Sequence, residues 1–516
     1  MNSKAAPVNL TIDKDYDSEI CGTIPLHLVN LIQPHGALLV LDKQMQIVQA
    51  SENINSFLPL TADELLSKPL SELIPANQYE DIVGKINARS IVDKIPFTLN
   101  SIFQEKETSF TALILPQDEY LLIELEENNS SPQETFVRLY QHIKYITSLL
   151  KQAGTCQEIA QRTAEELKLF TGFDRVLVYQ FDPKWNGMVV GQAKEDDMDD
   201  YMGLRFPASD VPRQARDLYL RNPYRLIPTR DYTPVRLIPV INPITQRFTD
   251  LADSNLRSVA KVHLEYLANL KVMASMSLPI IIDNKLWGLI SCHHKTPKYP
   301  GYEMRSAMEL LGGILSAQLE SKQKEEYMSV RVQLRSIHVK LVEQLYATAH
   351  FAEGLLKGAT SIQDLLSLNG AAVVYEGSIW TSGSTPAKQE IKELVSWLRR
   401  NKGSGVFATD MLPLVYPNSK AYKETASGLV SMPVNANQEE FILGFRQEAL
   451  QTVNWGGNPD NAIQMESDGK TYHPRNSFAT YKEIVKNTAM PWQQEEIEAA
   501  ETLRNAVLEK IIKAGY

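Results

Sequence analysis

Cysteine is nearly absent from this 516-residue chain: only Cys21, Cys156 and Cys292 occur. Such an odd, sparse set is no disulfide framework, and without a CxxC pair or an HExxH run it argues against a structural zinc module or a zinc protease. A cysteine that does chemistry here acts alone, as a thiolate. Long apolar runs are also missing. None approaches the roughly 18 residues of a membrane helix. The N-terminal stretch, with Asp13, Asp15, Asp17 and Glu19, has no apolar signal region, so a cytoplasmic location is expected. Positive charge is in deficit, 52 Lys plus Arg against 62 Asp plus Glu, and a net charge of -10 suits neither nucleic acid nor an anionic membrane surface. Apolar residues are not scarce; at 43% they exclude a disordered or collagen-like chain, and the length calls for several domains. GxxxxGKS/T and GxSxG do not occur. Gly403-Ser404-Gly405-Val406-Phe407-Ala408 has the letters GxGxxA, but it follows a helix over 391–400 and leads into a strand. That is the reverse of the strand-to-helix order that seats a pyrophosphate.

What is present reads as three segments. To about residue 130 the pattern is a small mixed unit, with strands at Ala37–Leu41 and Ile47–Ala50 around an Asp42–Gln44 turn. A helix start follows, Thr61 with Glu64 three residues on. The polar run 126–133 reads as a linker. The second segment, 135–320, opens with an amphipathic helix, has a strand over 175–181, and closes on a hairpin, 276–282 and 285–292, turning at Asp283-Asn284. Residues 303–357 read as nearly continuous helix, a connecting spine. The third segment partly repeats the second: Ser275–Ile280 resembles Leu429–Val434, and each precedes a Gly-containing apolar strand.

The Pro- and Arg-rich stretch 195–255 is too long to be an idle loop. In Arg205–Pro212, Asp210 stands between two prolines on a stiff, non-helical support. Arg225 and Arg257 belong to a set of arginines able to hold carboxylates bidentately, interleaved with Tyr179, Phe206, Tyr219 and Tyr266. A flat, apolar, di-acidic ligand fits that lining. In Cys292-His293-His294 neighbouring residues must face opposite sides of a strand, so Cys292 reads as packing with His293 or His294 facing a pocket.

Taken together, the stretches Ile32-Gln33-Pro34-His35-Gly36, Phe206–Pro212, Leu286–His294, Trp455-Gly456-Gly457 and Pro474-Arg475-Asn476-Ser477-Phe478 resemble, in order, the signature segments of phytochromes, and of their bacterial branch in particular. The resemblance implies an α+β fold of three tandem domains with antiparallel sheets, joined by a long connecting helix. An N-terminal extension (1–20) would precede a PAS domain (21–130) and a GAF domain (135–320); the helix 303–357 would lead into a GAF-related PHY domain (325–516) with a tongue at about 446–485. It implies a biliverdin IXα chromophore, a linear tetrapyrrole. Plant-type members attach theirs to a Cys directly before the GAF His, where this chain has Val262 before His263; bacterial members use a Cys upstream of the PAS signature, where Cys21 stands, so the resemblance implies a thioether at Cys21. By the same resemblance Asp210 and His263 would hold the pyrrole nitrogens, Arg225 and Arg257 the propionates with Ser275 and Ser277, and His293 the ring-D carbonyl. Tyr179, Phe206 and Tyr266 would wall ring D. Tyr219 would lie near ring B or C, and Ile32 near a chain crossing. Ala260 stands where several relatives carry Ser.

Light would rotate ring D about C15=C16, and a contact of Arg475 with Asp210 would couple that event to refolding of the tongue. The resemblance further implies a red/far-red photoreceptor, a homodimer through the GAF and PHY helices, and a kinase output acting on a response regulator. No kinase phospho-acceptor helix or Gly-rich ATP lid occurs in these residues, so this chain itself reads as a non-enzyme. The competing readings are a PAS/GAF sensor of haem or another small molecule, with His263 or His293 as ligand, and a non-catalytic helical scaffold.

Overall fold

The computed structural model describes residues 25–88, 94–103, 106–127, 136–435, 437, 439–461, 463–465 and 472–514. The 1–20 extension, Cys21 and most of the expected 126–133 linker lie outside them. Two compact units form, Met1–Ser321 with Asn454–Tyr481, and Lys322–Val453 with Lys482–Tyr516. No helix among the described residues is long and apolar enough to cross a membrane.

The first unit holds two domains. One is a seven-stranded sheet in the order Leu31–Ile32, Val235–Ile238, Ile47–Ser51, Gly36–Leu41, Leu121–Glu127, Lys106–Pro116, Ile95–Phe103. The expected hairpin is there. Asp42 Oδ1 accepts the N–H groups of Gln44 and Gln46, and Met45 takes a φ of 63°, closing the turn. Gly36–Leu41 is buried throughout because both faces are covered. Leu39 and Leu41 meet the domain's own helices, while Leu38 and Val40 meet Leu251 and Leu256 of the second domain. The Thr61–Glu64 capping box forms, but it starts only the four-residue helix Ala62–Leu65.

Residues 27–33 run between the two arms of a second-domain loop. On one side Leu31 and Ile32 pair with Arg236 and Val235; on the other Ile32 bridges to Arg257, and the Ser258 and Leu251 N–H groups donate to the carbonyls of Leu31 and His27. Ile32, wholly buried, marks the crossing.

The second domain's sheet runs Arg225–Ile227, Ala274–Ile282, Lys285–His294, Arg175–Phe181, Gly187–Lys194, Arg205–Phe206. The expected 283–284 turn has both residues at positive φ, 49° and 58°, as a two-residue hairpin of this twist requires. One sheet face packs Val176, Val178, Met276, Leu278 and Cys292 against the helix Cys156–Thr171 and against Met308, Leu311 and Leu315. The other face, carrying Leu177, Tyr179, Phe206 and Leu289, looks onto the helix Lys261–Asn269 and the 201–219 segment.

The second unit is a five-stranded sheet, Ser378–Gly383, Gly370–Tyr375, Glu440–Arg446, Gly428–Asn435, Phe407–Thr409. Leu394 and Leu398 of the helix Lys388–Asn401 cover one face; Leu341, Leu345, Leu503 and Val507 cover the other. The internal repeat is structural. Pro279 and Pro433 each lie in a central strand, just past the last residue paired to the outer neighbour (Ser277 and Ser431), where a missing N–H costs the ladder nothing, and each precedes a register shift. Gly403 sits at φ 68° in a helix-to-strand turn, so the GxGxxA letters make a turn and no phosphate loop.

Two expectations need correction. The spine helix spans Tyr302–Ala347 and stops short of 357. Thr348 Oγ1 turns back to the Leu345 carbonyl, the His350 ring caps a new helix at Phe351–Leu356, and the Gln344 amide ties the returning chain through the Gly354, Lys357 and Thr360 carbonyls. Glu126 is no linker residue. It lies inside the strand Leu121–Glu127, 1% exposed, in an ion pair with Arg305.

Candidate functional site

Period-two alternation builds the site. Along Ala274–Ile282 and Lys285–His294, Met276, Ile290 and Cys292 point to the helix-covered core. Ser275, Ser277, Ser291 and His293 therefore take the opposite face. Burial pushes the Cys292 thiol up to about 12, so it packs and does not react. His293 pairs across strands with Ser275 on one side and Arg175 on the other. Its Nδ1 receives Arg175 Nε at 3.3 Å and Nη2 at 3.0 Å, and its Nε2 lies 3.1 Å from Ser291 Oγ. Burial, then the Arg175 charge, holds His293 well below the ordinary imidazole range, hence neutral. His294 turns outward to Asp174, 2.9 Å away.

A second group is set by the prolines. Pro207, at φ -68° and ψ 155°, starts the 3-10 turn Ala208–Asp210, and Pro212 caps the helix Arg213–Tyr219. Asp210 is thus fixed under the Lys261–Asn269 helix. Its Oδ2 accepts the Tyr266 hydroxyl at 2.8 Å and Arg475 Nη2 at 2.5 Å. Both side chains of the ion pair are buried, 5% and 3% exposed. Burial pushes the Asp210 carboxyl up, against the pull of Arg475 and the Tyr266 hydroxyl. Arg475 follows a short hairpin, Ile463–Met465 paired with Tyr472–Pro474; its Nη1 donates to the Gly456 carbonyl, and its guanidinium lies 5.1 Å from the Phe206 ring and 4.5 Å from Phe478. His473 meets Glu265 at 3.0 Å and Asn269 donates to the Arg475 carbonyl, so the hairpin base is seated on one helix. Tyr179 and Phe206 lie with centroids 6.0 Å apart.

His263 stacks on Tyr266 (5.9 Å, 11°), and burial, then Arg225, drops its pKa to about 4. An unfolded chain binds that proton near 6.5, so this histidine's share of stability falls as pH drops from 6.5 to about 4. Histidine-ring NMR of the apoprotein should show the His263 resonances stationary from pH 8 to pH 5; a midpoint near 6.5 would contradict its burial.

The third group is cationic. Arg225, opposite Ser277 in register, donates to the carbonyls of Arg257 (2.5 Å) and Ser258 (3.1 Å), and Tyr219 shares a hydrogen bond with Ser277. Arg257 is 7% exposed, and its Nε and Nη1 find no acceptor. Burial, then the like charge of Arg225, drives it down to about 9. Arg225 thus faces two carbonyls while the neighbouring Arg257 charge is uncompensated, an arrangement that a carboxylate would relieve. The Arg257 backbone is held by Ile32 and, just upstream, by Glu124, which accepts Ser254 Oγ and Asn255 N at 2.6 Å each.

All the site residues named from the sequence within the described region share this face or its rim: Tyr179, Phe206, Asp210, Tyr219, Arg225, Arg257, His263, Tyr266, Ser275, Ser277 and His293, with Ile32 behind Arg257 and Arg475 on Asp210. Cys21 lies outside the described residues. Sequence reasoning missed Arg175 and Glu124. The only signal for either was a charged residue in a run otherwise reading as buried strand, which is informative because such residues are rarely buried without a partner.

Three family descriptions match: PAS fold over residues 21–128, GAF domain over 155–321 and phytochrome region over 334–514. Cyanobacterial phytochrome B of Nostoc sp. is 39% identical over 97% of this chain and 67% of its own length. A bacteriophytochrome of Xanthomonas campestris is 30% identical over 96% of this chain and 79% of its own. The chain spans about two thirds of the length of three cyanobacterial relatives, 64% to 67%. Among solved structures, the Stigmatella aurantiaca phytochrome photosensory core module superimposes with a TM-score of 0.83 (36% identity; 96% of this chain, 99% of that one). Bacteriophytochrome RpBphP3 of R. palustris gives 0.86 (32% identity; 96% and 99%). The chain belongs to the phytochrome family, with PAS, GAF and PHY domains in tandem as in a photosensory core.

Proposed function

We propose that this chain is the sensory part of a red/far-red photoreceptor that binds biliverdin IXα through Cys21. The observation that carries the reading is the buried Arg257, with Nε and Nη1 lacking an acceptor among the described residues, on the chain whose carbonyls receive Arg225, in the domain that also packs the aromatic cluster of Tyr179, Phe206, Tyr219 and Tyr266. The residues fit a dipropionate tetrapyrrole. Arg225 and Arg257, with Ser275 and Ser277, would take the carboxylates. The Asp210 carbonyl and neutral His263 would take the pyrrole N–H groups, and neutral His293 a terminal carbonyl. When bound, the bilin would supply light absorption and rotation about its C15=C16 bond.

This chain's residues would do the rest. Val262, before His263, cannot form a thioether, and Cys21 would be the residue that holds the bilin covalently, its thiol adding across the ring-A vinyl group with the proton passing to the other vinyl carbon. Tyr179 and Phe206 would exclude water from the terminal ring and shape its surroundings. Asp210, held by Tyr266 and Arg475, would couple a change in the chromophore to the hairpin that precedes Arg475, whose refolding would follow loss of that contact. The Tyr302–Ala347 helix carries the change onward to an output module.

Mixing apoprotein with biliverdin in the dark should give red or far-red bands that interconvert under light, and zinc-enhanced fluorescence on a denaturing gel that Cys21→Ser abolishes. A Soret band after supplying haem, with no photochromic adduct from biliverdin, would favour the haem sensor instead. Fluorescence that survives Cys21→Ser would move the attachment site.

A further inference from the structure

We propose that Arg175 is a positioning residue for His293, locking it in the neutral Nε2–H tautomer so that this ring can only donate a hydrogen bond to a bilin carbonyl. The inference rests on the functional reading above for the identity of the ligand, and on this chain's geometry for the tautomer.

Arg175 opens the strand Arg175–Phe181 and lies directly opposite His293 in the antiparallel register. It is 1% exposed, among the largest fully buried side chains in the described chain. Two of its nitrogens, Nε and Nη2, reach the single Nδ1 atom of His293 at 3.3 and 3.0 Å. A guanidinium has five donors, no acceptor and no accessible neutral form. Whatever it bonds to must offer a lone pair, so Nδ1 carries no proton. An imidazolium would set an N–H against an N–H and a positive charge against another, so it is excluded as well. The proton of the neutral ring is left on Nε2.

Other contacts make Arg175 rigid. Its Nη1 donates to the Asp199 carbonyl at 3.3 Å, and the guanidinium lies 4.4 Å from the Tyr201 ring centroid. Tyr201 packs edge-on to Phe206, 5.5 Å between centroids, so the support of His293 belongs to the same wall as the aromatic lining. On the far side Nε2 meets Ser291 Oγ at 3.1 Å; Ser291 is two residues away and shares the face. A hydroxyl can accept there and yield to an incoming carbonyl oxygen. The Nδ1–H tautomer would instead present a lone pair to that carbonyl, two acceptors facing each other. Orienting a ring through its second nitrogen is how proteins generally fix an imidazole's role.

The test begins with apoprotein, so that it does not depend on bilin binding. In ¹⁵N-labelled wild type at neutral pH, long-range ¹H–¹⁵N histidine spectra should show His293 with an unprotonated Nδ1 and a protonated Nε2. Arg175→Lys, which keeps one charged donor, should preserve that pattern, and Arg175→Met should give mixed tautomers. In biliverdin-loaded protein, Arg175→Met should revert from the photoproduct roughly tenfold faster, with zinc fluorescence unchanged, and Arg175→Lys should restore most of the difference. A wild-type ring protonated at Nδ1, or an Arg175→Met ring with the wild-type pattern, overturns the proposal; the latter would mean that Arg175 only packs. Failure of biliverdin to attach to wild type would sink the photoreceptor reading while leaving the tautomer result to stand on its own.

Discussion

Arg475→Ala is expected to cut the amplitude of light-induced absorbance change several-fold and to speed thermal reversion at least about tenfold. Asp210 has two partners for its Oδ2, the Tyr266 hydroxyl and the Arg475 guanidinium, and the latter is the only cation in hydrogen-bond contact with it among the described residues. Removing one member of a buried pair costs roughly 3–5 kcal/mol because the remaining charge is left without compensation. Asp210, already pushed up by burial, would then favour its neutral form and hand a proton rather than a lone pair to its surroundings. The hairpin base loses its anchor at the same time, since Arg475 also donates to the Gly456 carbonyl and sits between Phe206 and Phe478. Arg475→Lys should recover part of the amplitude: it restores charge but cannot bond Asp210 and Gly456 through one planar fork. Difference spectra after saturating red and far-red light decide the matter. An alanine variant with the parent's amplitude and reversion rate would mean that the Asp210 contact plays no part in the photocycle.

Glu126→Ala should cost the first unit about 3–5 kcal/mol of stability. Glu126 and Arg305 are 1% and 0% exposed and form a two-point ion pair, joined by the Tyr299 hydroxyl, with Tyr224 also bonded to Arg305. Burial alone would raise the Glu126 carboxyl, but the Arg305 charge and the hydrogen bonds from Arg305 and Tyr299 carry it below the ordinary value of 4.5. A lowered folded-state pKa means that the pair's contribution is complete above the unfolded carboxylate's pKa and is lost as pH falls through the folded one. Urea unfolding at pH 7, followed by circular dichroism with the m-value held as a check, should show the lower midpoint. Glu126→Leu combined with Arg305→Met should regain most of it, because an apolar pair of similar volume needs no charge compensation. A midpoint that Glu126→Ala leaves unmoved would show that the Arg305 charge does not depend on Glu126 for its compensation.

That glutamate also shows where reading the chain ran out. Followed along the sequence, Glu126 opens a polar run and looks like a linker. In the fold it is the inward residue of a strand whose neutralising partner, Arg305, lies 179 residues further on. The hairpin at 283–284 was legible because its information is local: two residues that tolerate positive φ between two apolar alternating runs. The packing role of Cys292 followed from the same two-residue period, while the choice between His293 and His294 stayed open until the structure put His293 opposite Ser275 and His294 on Asp174. Arg175 was not legible, since nothing near it in the chain indicates that a histidine 118 positions later needs a donor.

The sequence by itself determined the periodicities, the turns, the three-segment plan with its internal repeat, the stiff seat of Asp210, and, through the resemblance of five ordered motifs, the family. Only the tertiary structure decided which charges are paired. It put Arg475 on Asp210 and Arg175 on His293, left two Arg257 nitrogens without an acceptor among the described residues, and ended the spine helix at Ala347 through the tie of Gln344 to three carbonyls downstream. The reason is physical. A turn or an alternation depends on neighbours a few bonds away, whereas the charge state and tautomer of a buried group depend on what long-range packing places within about 3 Å of it after water has been removed.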